Sequence, residues 1–299
     1  METITISDLK ELHRELTKLE MNQIGPDKFY FRGESKNGWP LIPKLLRCST
    51  LVGKDGMPGF TKKGEMSIEQ IQVCLLERLK RHAVHLYLQN NRPWQGEHPS
   101  DWEWLCVAQH HGLPTLLLDW SINPLVAFYF SAWKGFAKDD GVFYVMKLRG
   151  KQFRNDNALT IRIGQNIDVA DDRKRSLTND DAHKPLVVVP LVFTQRIEAQ
   201  SSRLIYTGNA AKAECMLPDK DEFEILLNGG DECQQEPFAN LALDKITSDD
   251  TAWSSITKYI IPKSAKKNIL RQLANVQINH GSLFPDLDGH SAYLAAGGD

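Results

Sequence analysis

Apolar residues recur along this chain with two periods, and each period predicts a type of element. Leucines three and four residues apart in residues 7–21 predict an amphipathic helix capped by Ser7. A longer helix is expected over residues 68–89, and a shorter one, capped by Ser264, ends at Gln272. Short apolar or alternating runs predict strands at residues 28–32, 115–118, 141–148, 185–193, 197–207, 223–227 and 258–262.

Residues 109–133 concentrate turn, strand and helix signals in one stretch. A turn at Gly112 leads into the apolar run 115–118, which is long enough for a buried strand. Asn123 and Pro124 then suit the cap and the first position of an apolar, aromatic-rich helix. Polar side chains therefore flank a buried strand and helix, which is a common way to hold a site.

The polar residues around this strand are the first candidates for a site. They carry amide, imidazole, hydroxyl, carboxylate and indole groups and are Gln109, His110, Thr115, Asp119, Trp120 and Ser121. His110 is expected to titrate near neutral pH. The alternative is that Asp119 and Ser121 cap the helix and that His110 is a hydrogen-bonded turn histidine. The density of such groups in so apolar a stretch favours a site.

A second stretch supports that interpretation. The strand at residues 28–32 ends in Arg32, whose planar fork suits bidentate contact with a phosphate or a carboxylate. Gly33 follows and would let a ligand or the backbone approach closely. On spacing alone, a surface arginine or one paired to a structural aspartate is the stronger interpretation of Arg32.

Four blocks of the chain resemble the FRG-domain family, which is named for a Phe-Arg-Gly motif. The blocks, in order along nearly the whole chain, are Phe31-Arg32-Gly33 with residues 39–43 and Arg47, then 109–127, then 196–200, and finally 260–287. Two positions depart from the family pattern. The family often has an arginine where this chain has Leu116. It commonly has Gln-Gly-Leu/Arg-Phe where residues 201–204 of this chain are Ser-Ser-Arg-Leu.

The order of these blocks further resembles the split-sheet core of ADP-ribosyltransferases. By that resemblance Arg32 grips the pyrophosphate of NAD, Trp120 stacks on a flat ring, and a later strand points Glu198 and Gln200 to one face. If Gln200 occupies the acidic position, Glu198 or Asp119 must supply the carboxylate. The catalytic candidates are therefore Asp119, Glu198, Gln200 and His110, and the binding candidates are Arg32, Gly33, Gln109, Thr115, Trp120 and Ser121.

Composition and missing motifs exclude several classes of protein. The 299 residues are 41% hydrophobic, enough for one large core, and the net charge of −2 shows no electrostatic footprint for nucleic acid. Five scattered cysteines without a CxxC pair predict a reducing compartment and no structural zinc. No secretory signal, membrane span, dinucleotide fingerprint or P-loop is visible, so we expect a cytoplasmic protein without a metal cofactor.

Together these features predict a single α+β domain with a mixed, split β-sheet core, ADP-ribosyltransferase-like, and helical elaborations. An N-terminal helix falls in 1–24, the core in 25–262, and a C-terminal helix and tail in 263–299. The favoured function is an NAD-dependent ADP-ribosyltransferase or NAD glycohydrolase. The FRG resemblance implies a bacterial toxin or anti-phage effector, with a protein or nucleic acid acceptor and a neutralising or regulatory protein as partners, and no membrane. The alternative is a non-catalytic module that binds a nucleotide or a protein in a defence system.

Overall fold

The computed structural model describes most residues of the four motif blocks. The described residues are 4–19, 28–39, 41–46, 68–90, 101–133, 138–148, 160–162, 186–190, 192–206, 254–295 and 297. The strand predicted at 223–227 and Arg47 of the first motif block lie outside these residues.

Helices and strands alternate irregularly along the described chain. The α-helices are α1 (Leu9–Lys18), α2 (Ile68–Asn90), α3 (Asp101–His110), α4 (Pro124–Ala132), α5 (Gln195–Ala199), α6 (Lys266–Ala274), α7 (His280–Leu283) and α8 (Leu287–Ala295). The strands are β1 (Ile4–Thr5), β2 (Lys28–Glu34), β3 (Leu117–Ser121), β4 (Gly141–Leu148), β5 (Thr160–Arg162), β6 (Leu186–Val189), β7 (Ser202–Tyr206) and β8 (Ser254–Ile261). A short 3-10 helix, Lys44–Leu46, lies between β2 and α2.

All eight of these strands form one mixed sheet in the order β1-β8-β4-β2-β3-β7-β6-β5. The β1–β8 and β5–β6 pairs are parallel, and the remaining pairs are antiparallel. Strand β2 is paired to β4 at every residue, but it meets β3 only where Phe31 lies opposite Ser121. The sheet is therefore nearly divided between β2 and β3.

Alternation along the strands divides the core between the two faces of the sheet. Phe31 and Phe143 face α4, α6 and α1 in one apolar cluster, whereas Tyr30 and Tyr144 lie in a second cluster on the other face. Helix α4 packs directly on β2 because no side chain separates them at Gly33. A Cβ built on Gly33 would lie 1.8 Å from the carbonyl oxygen of Ala127.

The structure confirms the coarse fold class, a mixed sheet surrounded by helices. Strand β4 has the predicted bounds, and β2 covers the predicted strand at 28–32. Helix α4 begins as predicted, since Asn123 accepts a hydrogen bond from the backbone N–H of Leu125 and Pro124 follows at the first position. These elements were predictable because their caps and apolar spacing lie in one continuous stretch of sequence.

Several predicted boundaries were wrong. Asp8 rather than Ser7 caps α1, and α6 begins after Ala265 without a side-chain cap from Ser264. Strand β3 starts later than predicted and runs on through Ser121. The tail predicted at the end of residues 263–299 contains α8, whose Leu287 is largely exposed, so no buried apolar stripe marks this helix in the sequence.

Residues 197–207 were predicted to be one strand, but they form two elements. Thr194 caps the five-residue helix α5, because its hydroxyl accepts from the backbone N–H of Ile197. The chain then turns at Ser201, which has a φ of 48°, and β7 begins at Ser202. The prediction was wrong because one helical turn contains too few residues to show a helical period.

Candidate functional site

A cavity of about 280 Å³ opens where β2 and β3 are held together by a single pair. Strands β2, β3 and β7 and helices α3, α4 and α5 contribute its walls. All but two of the candidates from the sequence line this cavity, namely Arg32, Gly33, Gln109, His110, Asp119, Trp120, Ser121 and Gln200. Thr115 and Glu198 do not line it.

The guanidinium of Arg32 is held by a neighbouring carboxylate on its own strand. Its Nε and Nη2 donate to Oε1 of Glu34 at 3.1 and 2.9 Å, and its Nη1 donates to the backbone oxygen of Asp119 at 2.6 Å. The side chains of Arg32 and Glu34 are only 15% and 4% exposed. Arg32 is thus an ion-paired arginine that bridges β2 and β3, and its carboxylate partner is Glu34 rather than Asp119.

Asp119 is positioned through a chain of side-chain hydrogen bonds that starts at the buried Thr115, two residues before β3. The Thr115 hydroxyl donates to Oε1 of Gln109 at 2.6 Å, and Nε2 of Gln109 donates to Oδ2 of Asp119 at 2.8 Å. Thr115 is 1% exposed, whereas Asp119 is exposed. Thr115 therefore acts outside the cavity, where it fixes the amide that orients the carboxylate.

Glu198 does not occupy the position that the strand prediction gave it. It lies in α5 with an exposed side chain, because residues 195–199 are helical rather than extended. Gln200 is the C-cap of that helix, and its Nε2 donates to the backbone oxygen of Leu283 at 3.0 Å. Glu198 and Gln200 thus do not share one face of a strand, and only Gln200 reaches the cavity.

Ser121 ties the end of β3 to the segment after α5. Its hydroxyl donates to the backbone oxygen of Gln200 at 2.8 Å and accepts from the backbone N–H of Asn123 at 2.9 Å. The single proton of the Ser121 hydroxyl is therefore committed to the protein, and Ser121 shapes the cavity wall.

His110 lies at the end of α3 in a partly buried position. Its Nε2 is 3.4 Å from the Thr194 hydroxyl, and its ring meets the Phe193 ring edge to face at 5.4 Å between centroids. Burial lowers the pKa of His110 to about 4, with further lowering by the positive charges of Arg196 and His111. The expectation that His110 titrates near neutral pH was wrong, because desolvation favours the uncharged ring.

Gly33 fits one of the two alternatives given for it, the close approach of the backbone, whereas Trp120 differs from its predicted role. The close approach at Gly33 is made by the backbone of Ala127 in α4 rather than by a ligand. Trp120 alternates away from Asp119 along β3 and is 3% exposed in the second core cluster. Its ring is therefore packed inside the protein and not open as a stacking surface.

Arg196 is a cavity residue that the sequence analysis did not single out as a site. It lies in α5, and its guanidinium carbon is 4.5 Å from the centroid of the Phe284 ring. The position of Arg196 in the third motif block was the available signal. Cys106 also lines the cavity, but burial raises the pKa of its thiol, so it stays protonated and is a poor nucleophile.

Metal-ligand clusters and membrane-spanning helices are both absent from the described residues. Within them, no group of three His, Cys, Asp or Glu side chains is arranged to hold a metal ion. None of the described helices combines the length and apolar character that a bilayer span requires.

Comparison with known protein families finds a match over the segment that contains β2 and β3 of the cavity. Residues 27–140 match the FRG domain family. The match includes β2, α3, β3 and α4, with Arg32 and Asp119, but it ends before the 196–200 and 260–287 blocks. No curated protein is significantly similar to the chain. No solved structure matches it either.

Proposed function

We propose that the cavity binds NAD and that the protein is an ADP-ribosyltransferase-like enzyme or an NAD glycohydrolase. One observation carries the proposal. Asp119 supplies the one carboxylate among the described residues that line the cavity, and Arg32 and Arg196 line the same cavity. NAD has the complementary pattern, since its nicotinamide end is positive and its pyrophosphate is negative.

The chemistry requires a carboxylate in this position. The bond between the ribose and the nicotinamide nitrogen breaks, and its electron pair leaves with nicotinamide. Positive charge develops on the ribose, where the Asp119 carboxylate stabilises it. Water then adds to the ribose and releases a proton, which gives ADP-ribose, or a nucleophile of an acceptor molecule adds instead. Gln109 and Thr115 keep the carboxylate oriented during this step.

The shape of the sheet supports the same proposal. The near division between β2 and β3 agrees with the split-sheet core that the ADP-ribosyltransferase resemblance predicts. The cavity volume of about 280 Å³ is close to the lower end of small-molecule sites, which begin at roughly 300 Å³. It suits the nicotinamide end of the dinucleotide, with the remainder extending from the cavity mouth.

Release of free nicotinamide from NAD tests the proposal directly. We expect the wild-type protein to release nicotinamide and Asp119→Asn to lower the rate by roughly 100- to 1,000-fold, as when one preorganised electrostatic group is removed. Asp288→Asn in α8 is the matched control, because Asp288 does not line the cavity. A wild-type protein that binds NAD and never releases nicotinamide would contradict the enzymatic proposal.

A second candidate function is a non-catalytic module that binds a nucleotide or a protein. Two cavity side chains favour it, because they are already bonded within the protein: Arg32 is paired to Glu34, and Gln200 donates to the backbone oxygen of Leu283. Binding without nicotinamide release in the same assay is its expected signature. With either function, the role of a bacterial toxin or anti-phage effector, its protein or nucleic acid acceptor and its regulatory protein are proposed from the FRG resemblance alone.

A further inference from the structure

We propose that Arg196, rather than Arg32, is the cation that binds the anionic group of the ligand. This inference rests on the proposed function in one respect, that the ligand carries a phosphate or pyrophosphate. It departs from the sequence-based expectation, in which the arginine of the Phe-Arg-Gly motif grips the pyrophosphate.

The charge of Arg32 is already matched by a carboxylate. Glu34 accepts from both Nε and Nη2 of Arg32, and the backbone oxygen of Asp119 accepts from Nη1. An anion that approaches Arg32 therefore also meets the negative charge of Glu34 at close range. The pair acts on a ligand as a dipole, and its field decreases faster with distance than the field of a single charge.

Arg196 is held by an aromatic ring and not by a carboxylate. Its guanidinium lies over the Phe284 ring at 4.5 Å, and within the described residues it makes no ion pair. Stacking uses the flat face of the guanidinium and leaves its N–H groups, which point outward in the plane, able to form a bidentate contact. Phe284 is itself fixed, because its ring packs against His280 and Trp133.

The electrostatic surroundings agree with an uncompensated charge at this position. Arg196 helps to lower the pKa of both His110 and His280, so its charge acts on both rings. Asp286 acts on the same rings with the opposite sign, but it makes no ion pair with Arg196, and its Oδ1 accepts from the backbone N–H of Gly289 at 2.7 Å. A phosphate at Arg196 would therefore not compete with a bonded carboxylate.

The arrangement defines the class of ligand more narrowly than the cavity alone. Arg196 and Asp119 are on separate elements, α5 and β3, and both line the cavity. A ligand that carries a phosphate and, at another point, a cationic or electron-poor ring can satisfy both. This combination is expected of an oxidised nicotinamide nucleotide and not of a simple phosphate ester.

Titration calorimetry with NAD, ADP-ribose and inorganic pyrophosphate tests the role of Arg196. We expect Arg196→Gln to weaken binding of all three by about 10- to 100-fold, which is the effect of losing a charge-assisted fork contact. Arg196→Lys should recover only part of the affinity, because it keeps the charge and loses the fork. Arg271→Gln on α6 removes one positive charge from an exposed position away from the cavity, and this variant should bind as the wild type does.

A second variant keeps the test independent of the stability of Arg196 mutants. Phe284→Leu removes the ring and leaves the charge of Arg196, so it should weaken binding by a smaller factor than Arg196→Gln. The inference is overturned if Arg196→Gln, folded by its melting curve, binds all three anions as tightly as the wild type, or if the wild type binds none of them. Anion binding that depends on Arg196 without release of nicotinamide supports this inference while it contradicts the enzymatic proposal.

Discussion

The walls of the cavity that β2 and β3 form hold their charged groups in different ways. On the β2 wall, every residue of the strand is paired to β4, α4 presses on Gly33, and Arg32 is closed into an ion pair with Glu34. On the β3 wall, Asp119 is exposed and is oriented through the amide of Gln109. The charge on the β2 wall is thus compensated by a neighbouring carboxylate, and the charge on the β3 wall is exposed. Under the proposed function, the motif arginine builds the site and residues across the cavity carry its chemistry.

The largest effect is expected from adding one methyl group to the β2 wall. Gly33→Ala places a Cβ 1.8 Å from the carbonyl oxygen of Ala127, so α4 must move away from β2. We expect a loss of about 4 kcal/mol or more in the free energy of unfolding, because backbone of a buried helix cannot yield as a side chain can. Urea denaturation measures it. In the control Gly38→Ala the Cβ meets nothing within 4 Å, and the loss should be about 1 kcal/mol from its positive φ.

The next effect tests whether Arg32 and Glu34 stabilise the fold as a pair. Arg32→Gln should lower the free energy of unfolding by about 2–3 kcal/mol, less than for a fully buried pair because Arg32 keeps some exposure. A double-mutant cycle with Glu34→Gln measures the coupling between them. If Arg32→Gln melts as the wild type does and the cycle shows no coupling, the β2 wall does not depend on this pair.

Removing the hydroxyl that orients the β3 wall should have a smaller effect on stability. Thr115→Val leaves Oε1 of Gln109 without its donor, and we expect about 1–2 kcal/mol of destabilisation. Under the proposed function the same change lowers the rate of nicotinamide release more than it lowers the affinity for NAD, because Asp119 is less well oriented. Thr115→Ser keeps the hydroxyl and should retain the rate of nicotinamide release. Equal rates for the Val and Ser variants would show that the Thr115 hydroxyl does not contribute to the site.

The smallest effect concerns the pH dependence of stability near the cavity. The pKa of His110 is about 4 when folded, below its usual value of 6.5, so the unfolded chain binds an additional proton between these values. The stabilisation is complete above pH 6.5 and is lost as the pH falls towards 4. Replacing His110 with Gln should reduce the loss of free energy of unfolding between pH 6.5 and pH 4, followed by thermal melts, by on the order of 1 kcal/mol. The effect is small because the ring is only partly buried. The exposed-site control His13→Gln should keep the wild-type profile, and a profile unchanged in both would refute the shift.

The parts of the fold that the sequence predicted are those whose signals are local. Asn123 and Pro124 predicted the start of α4, and the aromatic run at residues 29–31 predicted the strand β2, because both signals are properties of adjacent residues. Residues 197–199, which belong to the helix Gln195–Ala199, were assigned to a strand because one turn of helix has no period to detect. A local pattern therefore identifies an element whose signals are continuous in sequence and fails on a single turn of helix.

The candidate site shows the same limit at longer range. The motif blocks identified Arg32 and Asp119 as site candidates, and both line the cavity in the structure. The partner of Arg32, by contrast, was not predicted, although Glu34 is two residues away, because strand geometry alone does not say which acceptor a long side chain will choose. Arg196 was missed because its fixation depends on Phe284, which comes from a distant part of the chain.

The close contact at Gly33 bears on how related sequences can be interpreted. Phe31 fills the core, Arg32 is ion-paired to Glu34, and Gly33 admits the backbone of α4, so each residue of the Phe-Arg-Gly motif serves the assembly of one wall. We expect proteins that share the motif to share this wall while they differ in what they bind. Ligand preference should instead follow the residues that replace Asp119 and Arg196, and sorting FRG proteins by those two positions should group them by chemistry.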